Sequence, residues 1–231
     1  MEKLQNKLIG NFEDLNTHIY RQVKQMIWNK TLAPGSKILQ EHLAQQLGVS
    51  RTPLIKALQR LTSENLVEYI PRHGFYVKKL TLAEMMEIFA VREVVEGVAA
   101  RAVAEHATDA EIAELKAYFT PFRFNGEWSS EEKKSYLVND QTFHTRMVEI
   151  AGNRLLFQIN EMFNIYRFSY QKGLVRPPDE TLQEHLDIIA ALEKRDPGSA
   201  QLLAMRHIQN SRENIARVIK ENGSLWGELE V

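Results

Sequence analysis

Two side chains of types that bind metals stand four residues apart in the stretch YLVNDQTFHTRMVEIAGN, residues 136–153. They are Asp140 and His144. Positions four apart lie on one face of a helix, so this carboxylate and imidazole can hold one ion together. His185 and His207 follow in two later helical patterns. The four residues are predicted to bind a divalent transition metal, with zinc or nickel favoured and manganese or iron also accepted by such ligands.

A plainer interpretation of these histidines stays open at this point. An Asp/His pair at helical spacing often arises by chance, and a lone histidine on a helix more often packs or is solvated than binds metal. The chain has no cysteine, which excludes disulfides and thiolate metal sites.

Composition limits the class of protein. The chain has 231 residues, of which 44% are hydrophobic, enough for two ordinary domains with real cores. The N-terminus is charged and lacks the apolar segment of a signal peptide, and no apolar run is long enough to span a bilayer. We expect no membrane partner and a cytoplasmic location.

The charge is divided unevenly along the chain. Residues 1–79 carry 12 Lys and Arg against 6 Asp and Glu, whereas residues 80–231 carry 17 against 24. A basic N-terminal third beside an acidic remainder indicates a nucleic-acid-binding module joined to a second domain. Ordinary charge scatter would also produce six net charges. We predict domains at 1–79 and 80–231.

The first domain follows a helix-turn-helix pattern with an added hairpin. Helices are predicted over about residues 12–30, 41–47 and 51–65, and strands over 36–39, 66–70 and 75–79. Gly48 provides the tight turn between the second and third helices, and the third begins with a polar, basic face. The predicted DNA contacts are Arg51, Thr52, Ile55, Lys56 and Gln59 on that helix and Arg72, His73 and Gly74 in the hairpin turn.

These residues carry a family resemblance. The stretch PGSKILQEHLAQQLGVSRTPLIKALQRLTSENLVEYIPRHGFYV resembles the winged helix of the GntR superfamily of bacterial transcription regulators. The family commonly has Val-Arg-Glu where this chain has Leu54-Ile55-Lys56. Ile55 cannot form the paired hydrogen bonds to guanine that arginine forms, but it can touch a thymine methyl. The operator sequence therefore does not carry over from relatives.

The second domain is predicted to be a bundle of about six helices. Three capping boxes open three of them, at residues 81–84, 108–111 and 129–132. Further helices are predicted over about 154–172, 180–194 and 197–223, and no strand pattern follows residue 80. The fold class is mainly α: a winged helix-turn-helix with a small β-hairpin, followed by an all-α bundle.

The second domain resembles the FCD ligand-binding domain found in one branch of that superfamily, and its six helices are closest to the VanR-like subgroup. The resemblance rests on Arg92, Glu96, the Asp140-x-x-Phe143-His144 motif with Gly152-Asn153, His185 and His207. In metal-binding members such an Asp and three His hold a divalent ion. The resemblance therefore implies a metal-dependent effector pocket, and the residues predicted to line it are Arg92, Glu96, Tyr166, Arg167 and Asn214. An i,i+4 salt bridge between Arg92 and Glu96 is the alternative to an effector-binding role.

Three functions are weighed. The first is a homodimeric DNA-binding repressor on a palindromic operator, whose affinity is reset by a small carboxylate metabolite bound at the metal. The second is a regulator in which the ion itself is the signal. The third is a metallohydrolase, against which stand the absence of an evident general base beside the metal residues and the presence of a winged helix.

Overall fold

The computed structural model describes residues 15–79, 81–123, 128–162 and 176–221. The chain divides into two compact units, Met1–Lys79 and Leu80–Val231. The observed fold is mainly helical with one small antiparallel hairpin, which confirms the predicted fold class. Among the described residues, the helices are too short or too polar to cross a membrane.

The first unit has three helices and a hairpin. These are α1 (Leu15–Trp28), α2 (Gln40–Gln46), α3 (Arg51–Ser63), β1 (Val67–Ile70) and β2 (Gly74–Val77). Apolar residues at helical spacing on α1 and α3 are fully buried against each other: Ile19, Val23, Ile27, Leu54, Leu58 and Leu61. This packing fixes α3 while its opposite face, which carries Arg51 and Gln59, stays exposed.

The hairpin pairs Val67 with Val77 at one end and Ile70 with Gly74 at the other. Gly74 has a φ of +96°, a backbone conformation that glycine adopts without steric cost. The strand predicted at residues 36–39 is wrong: a single bridge joins Lys37 to Tyr76 there. The turn before it and the start of α2 at Gln40 leave too few extended residues for a strand.

The second unit contains six helices within the described ranges. They are α4 (Leu82–His106), α5 (Asp109–Ala117), α6 (Ser130–Ile150), α7 (Arg154–Met162), α8 (Pro178–Glu193) and α9 (Pro197–Glu221). The three predicted capping boxes are present, each with both reciprocal hydrogen bonds. The part of the predicted 154–172 helix beyond Met162 lies outside the described residues.

The long helices α4 and α9 pack together more extensively than any other pair of elements. Gly97 permits the close approach, because a Cβ there would overlap Met205 Cγ and lie 3.0 Å from its Sδ. The core beside them contains Phe119, Phe143 and Leu182, each at most 1% exposed. Helices α4, α6, α8 and α9 thus surround one interior, where their polar side chains meet.

Candidate functional site

The four predicted metal ligands meet in the interior of the second unit. Asp140 and His144 project from α6, His185 from α8 and His207 from α9. Each offers one ligand atom, and these atoms all lie within 4.8 Å of one another. All four residues are buried, with exposed fractions of 4, 2, 0 and 4%. Four buried side chains of metal-binding types thus converge from three helices, and polar groups are costly to bury unless each has a partner.

All three imidazoles use Nδ1 to reach a partner outside this cluster. The partners are Glu96 Oε2 for His144, Tyr136 Oη at 2.9 Å for His185, and Glu184 Oε2 at 2.7 Å for His207. A histidine held this way at one nitrogen presents the other nitrogen to a metal, and such partners fix the orientation of the ring. The arrangement therefore leaves Nε2 as the ligand atom of each ring.

The inward-facing atoms lie close together. His144 Nε2 and His185 Nε2 are 3.4 Å apart. Asp140 Oδ1 lies 3.0 Å from His185 Nε2 and 3.7 Å from His144 Nε2. Two nitrogen atoms that both face a carboxylate oxygen at these distances suit a cation between them. Nitrogen and oxygen ligands of this kind bind zinc and nickel, so the residues present fit a divalent ion.

The electrostatics of the cluster single out His144 as the protonated ring in the metal-free protein. Burial opposes its charged form, but the carboxylates of Glu96 and Asp140 outweigh burial and raise the pKa of His144 to about 9. Burial also opposes ionisation of Asp140, yet its hydrogen bonds to His144 and His185 hold the pKa of that carboxyl well below its usual value.

The other two rings are neutral. Burial lowers the pKa of His185 despite its contact with Asp140. Burial, together with the neighbouring His185, lowers the pKa of His207 to about 3. Neutral imidazole is the form that binds metal, so these two rings are ready to act as ligands without losing a proton.

Glu96 joins the metal cluster to Arg92. Its Oε1 accepts hydrogen bonds from Arg92 Nη2 at 2.6 Å and Nε at 2.9 Å, while its Oε2 faces His144 Nδ1. Arg92 and Glu96 are 2% and 1% exposed. The i,i+4 salt bridge is thus formed, and the predicted effector role of Arg92 stays a prediction alongside it. Burial would raise the pKa of Glu96, but Arg92 and His144 lower it to about 2.

Two residues that support the cluster, Glu184 and Tyr136, were not predicted from the sequence. Glu184 supports His207 and is itself held by Arg176 Nη1 at 2.9 Å and by Asn210 Nδ2 at 2.8 Å. Burial would raise the pKa of Glu184, but His207 and Arg176 lower it to about 2. Glu184 lies 23 residues before His207 and 26 before Asn210, so no local pattern connects it to either of them.

Tyr136 also supports the cluster and was missed, although a signal existed. It stands four residues before Asp140, which stands four before His144, so all three share one face of α6. The hydroxyl of Tyr136 contacts both His185 Nδ1 and Thr181 Oγ1, the latter at 2.8 Å.

The remaining predicted effector residues are Tyr166, Arg167 and Asn214. Tyr166 and Arg167 lie outside the described residues. Asn214 on α9 is half-buried and accepts a hydrogen bond from Arg217 Nη2 at 2.6 Å. Its place in an effector site stays a prediction.

In the first unit, most of the predicted DNA contacts share one cleft of about 670 Å³ between α3 and the hairpin. Six of them line it: Arg51, Ile55, Gln59, Arg72, His73 and Gly74. Thr52 and Lys56 are exposed but lie outside that lining. Glu41, which was not predicted, also lines the cleft and pairs with Arg51 Nη1 at 2.9 Å. The arrangement offers cationic and amide donors on one concave face.

Comparison with known protein families decides the identity. The family model described as "FCD domain" matches residues 87–210, more than half of the chain. The model described as "Bacterial regulatory proteins, gntR family" matches residues 15–77. This chain belongs to the FCD branch of the GntR family. Membership in the predicted VanR-like subgroup stays a prediction.

Individual relatives of this GntR-type regulator agree. The HTH-type transcriptional repressor RspR of Escherichia coli K12 is 26% identical over 94% of this chain and 95% of its own. The Nta operon transcriptional regulator of Aminobacter aminovorans is 31% identical over 81% of this chain and 88% of its own. The solved structure of E. coli McbR/YncC has a TM-score of 0.70 at 20% identity, covering 89% of this chain and 99% of that one, which shows a shared fold.

The family assignment fixes the broad function. The chain is a transcriptional regulator rather than an enzyme, so the metallohydrolase interpretation is set aside. The gntR-type helix-turn-helix implies DNA binding by the first unit, and the FCD domain implies binding of a small-molecule effector by the second.

Proposed function

We propose that this regulator is a homodimeric repressor of a palindromic operator, and that a small organic acid controls its DNA affinity from a divalent metal site. The ion, zinc or nickel, would be held by Asp140, His144, His185 and His207. The observation that carries the proposal is the shared orientation of the three rings: each Nδ1 has an outside partner, and each Nε2 is left for the ion.

The donor set also supports an effector that carries a carboxylate. A divalent ion that accepts more than four ligands offers further positions to water or to a carboxylate oxygen. Arg92, joined to the cluster through Glu96, supplies a buried cation within the same network. A carboxylate bound there would gain the charge-assisted hydrogen bonds that guanidinium groups make.

The first unit would read DNA through the start of α3. The N-terminal residues of a recognition helix reach base edges, so Arg51 and Thr52, at the start of α3, would contact bases. Ile55 would contact a thymine methyl, and Lys56 would contact phosphate. At the hairpin turn, Gly74 lets the backbone approach the DNA closely.

The first test removes one metal ligand at a time. We expect His144→Ala, His185→Ala and His207→Ala each to lower the content of bound zinc or nickel, measured by mass spectrometry of the metal, and to lower the melting temperature. His106→Ala is the matched control, because its side chain is 78% exposed at the end of α4. Full metal retention in all three variants would refute the four-ligand site.

The second test separates an organic-acid effector from a direct metal signal. DNA affinity is measured by fluorescence polarisation on metal-free protein, on zinc- or nickel-loaded protein, and on loaded protein with acetate, lactate or citrate as probes. We expect a change in affinity only when ion and acid are both present. A full change with the ion alone would instead support direct metal sensing.

A further inference from the structure

An acidic side chain lies in the cleft that is proposed to face DNA. Glu41 is the second residue of α2 and Arg51 is the first residue of α3, and both line the cleft between α3 and the hairpin. Glu41 Oε1 accepts a hydrogen bond from Arg51 Nη1 at 2.9 Å. The two side chains are 81 and 55% exposed. A carboxylate on a surface that meets phosphates opposes binding, so its presence there calls for a reason.

Folding stability does not supply that reason. An ion pair as exposed as this one contributes little to the free energy of unfolding. Glu41 lies in the first turn of α2, where the helix dipole favours a negative charge, but that benefit does not require contact with Arg51. Arg51 itself is a cation at the N-terminal end of α3, where the dipole disfavours it. A cation kept at an unfavourable position, with a carboxylate bonded to it, indicates a role for the pair in binding.

We propose that Glu41 is a specificity-determining residue, which orients Arg51 toward guanine and accepts a hydrogen bond from the N4 amino group of the paired cytosine. A guanidinium has five N–H donors, and the bond to Glu41 uses one on Nη1. The edge formed by Nε and Nη2 can still donate to guanine O6 and N7. Glu41 uses Oε1 for Arg51, so its Oε2 can accept from cytosine N4, a group that carboxylates recognise.

The pair suits a G·C pair and opposes an A·T pair at both bases. Across the major groove, guanine offers the acceptors N7 and O6, and cytosine then offers the N4 donor. Adenine offers the acceptor N7 and the donor N6, and thymine then offers the acceptor O4. At an A·T pair, one donor of Arg51 would therefore meet an amino group, and the carboxylate of Glu41 would meet a carbonyl oxygen. Both contacts would be repulsive, so the two side chains together discriminate more strongly than arginine alone.

The same carboxylate lowers the affinity for DNA that lacks such a G·C pair. Non-specific binding depends on how far the protein neutralises phosphates, and a negative charge on the contact surface opposes that. A group that weakens non-specific binding and rewards one base pair raises the ratio of specific to non-specific affinity. This inference rests on the proposed reading of DNA by the start of α3 and is independent of the metal and the acid.

The first test measures binding to a duplex of alternating A·T pairs, which contains no cytosine. In polarisation titrations at fixed salt, Glu41→Gln should bind this duplex about three- to fivefold more tightly than the parent, because the side chain keeps its size and loses its charge. Glu68→Gln is the matched control. Glu68 is an exposed acid on β1 of the same unit and lies outside the lining of the cleft, so its loss should change the affinity far less.

The second test identifies the base pair. Duplexes are selected from a library with a randomised centre by the parent and by each variant, and the bound DNA is sequenced. We expect the parent to enrich a G·C pair that Glu41→Gln no longer prefers, with the affinity ratio of G·C to A·T at that pair reduced at least about fivefold. Glu41→Asp keeps the charge on a shorter side chain. It should lose the same preference while binding the A·T duplex as the parent does, which separates the contact from the charge.

Two results would overturn the assignment of Glu41. One is an unchanged preference of Glu41→Gln at every selected base pair, and the other is no gain in its affinity for the A·T duplex. A residue that serves only the dipole of α2 would give both results together with a lower melting temperature. A parent protein that enriches no sequence would refute the proposed reading of DNA by α3 as well, and that outcome is distinct from the failure of Glu41 alone.

Discussion

Metal uptake should release one proton, because His144 alone among the three rings holds a proton near neutral pH. Its pKa is raised to about 9, while those of His185 and His207 are lowered and that of Asp140 is held low. A metal ligand must be deprotonated, so the ion competes with a single proton. We expect the zinc affinity to rise about tenfold per pH unit up to about pH 9. Between about pH 6.5 and pH 8.5 this amounts to about 100-fold, or about 2.7 kcal/mol at about 1.36 kcal/mol per unit.

The same shift sets a stability prediction for the metal-free protein. The folded pKa of His144 lies above the unfolded value of about 6.5. Its stabilising contribution is therefore complete below about pH 6.5 and is lost as the pH rises through about 9. Metal-free protein should melt at a lower temperature at about pH 9.5 than at about pH 7.5. Saturating zinc should reduce the difference, since the bound form no longer carries that proton.

Calorimetric titration of zinc in buffers with different protonation enthalpies counts the released protons. We expect about one proton at about pH 7.5. Glu96→Gln should lower that number, because it removes the carboxylate that keeps His144 charged, whereas Glu105→Gln on the same helix should not. A zinc affinity that stays constant over this pH range, or release of about three protons, would refute the assignment of protonation states.

Three further predictions follow from other contacts. Glu184→Gln should weaken zinc binding about 10- to 100-fold in chelator competition, since it disturbs the group that orients a ligating ring; unchanged affinity would remove Glu184 from the site. In polarisation titrations, Arg51→Ala should cost about 1–3 kcal/mol on operator DNA. Lys56→Ala should instead weaken all duplexes alike and reduce the salt slope by about one, and equal effects of the two variants would contradict the predicted roles. Gly97→Ala should destabilise the fold by about 1–3 kcal/mol in urea unfolding, because its methyl group meets Met205; parent-like stability would show that the helices adjust freely.

Local sequence signals predicted much of the fold. The capping boxes at Thr81, Thr108 and Ser129 are formed by neighbouring residues, so they mark helix starts without knowledge of the tertiary structure. Helix α4 is a case in which local signals were not enough. The sequence shows that most of its circumference is apolar, but not which side the rest of the chain covers. Val94 and Val98 turn out exposed because α9 packs on the Gly97 side instead.

The sequence predicted the four residues of the candidate metal site. It did not predict that Glu184 and Tyr136 hydrogen-bond to two of them. Asp140 and His144 share a helical face, which spacing alone reveals. His185 and His207 were added by residue type from later helical patterns, and the family resemblance supported that choice. Glu184 could not be found in this way, since its contact with His207 depends on how α8 and α9 pack. Helical spacing predicts what lies beside a residue on its own helix and says little about what faces it from another.

Glu96 has a consequence that concerns how the regulator would respond in a cell. One of its oxygens holds Arg92 and the other holds His144, so the proposed acid site and metal site share a single carboxylate. Two sites that share a group are thermodynamically linked. Whatever factor the acid applies to metal affinity, the metal must apply to acid affinity. The response of the regulator would then depend on the concentrations of both the acid and the metal. The same concentration of metabolite would give a different level of transcription in a metal-starved cell than in a metal-replete one.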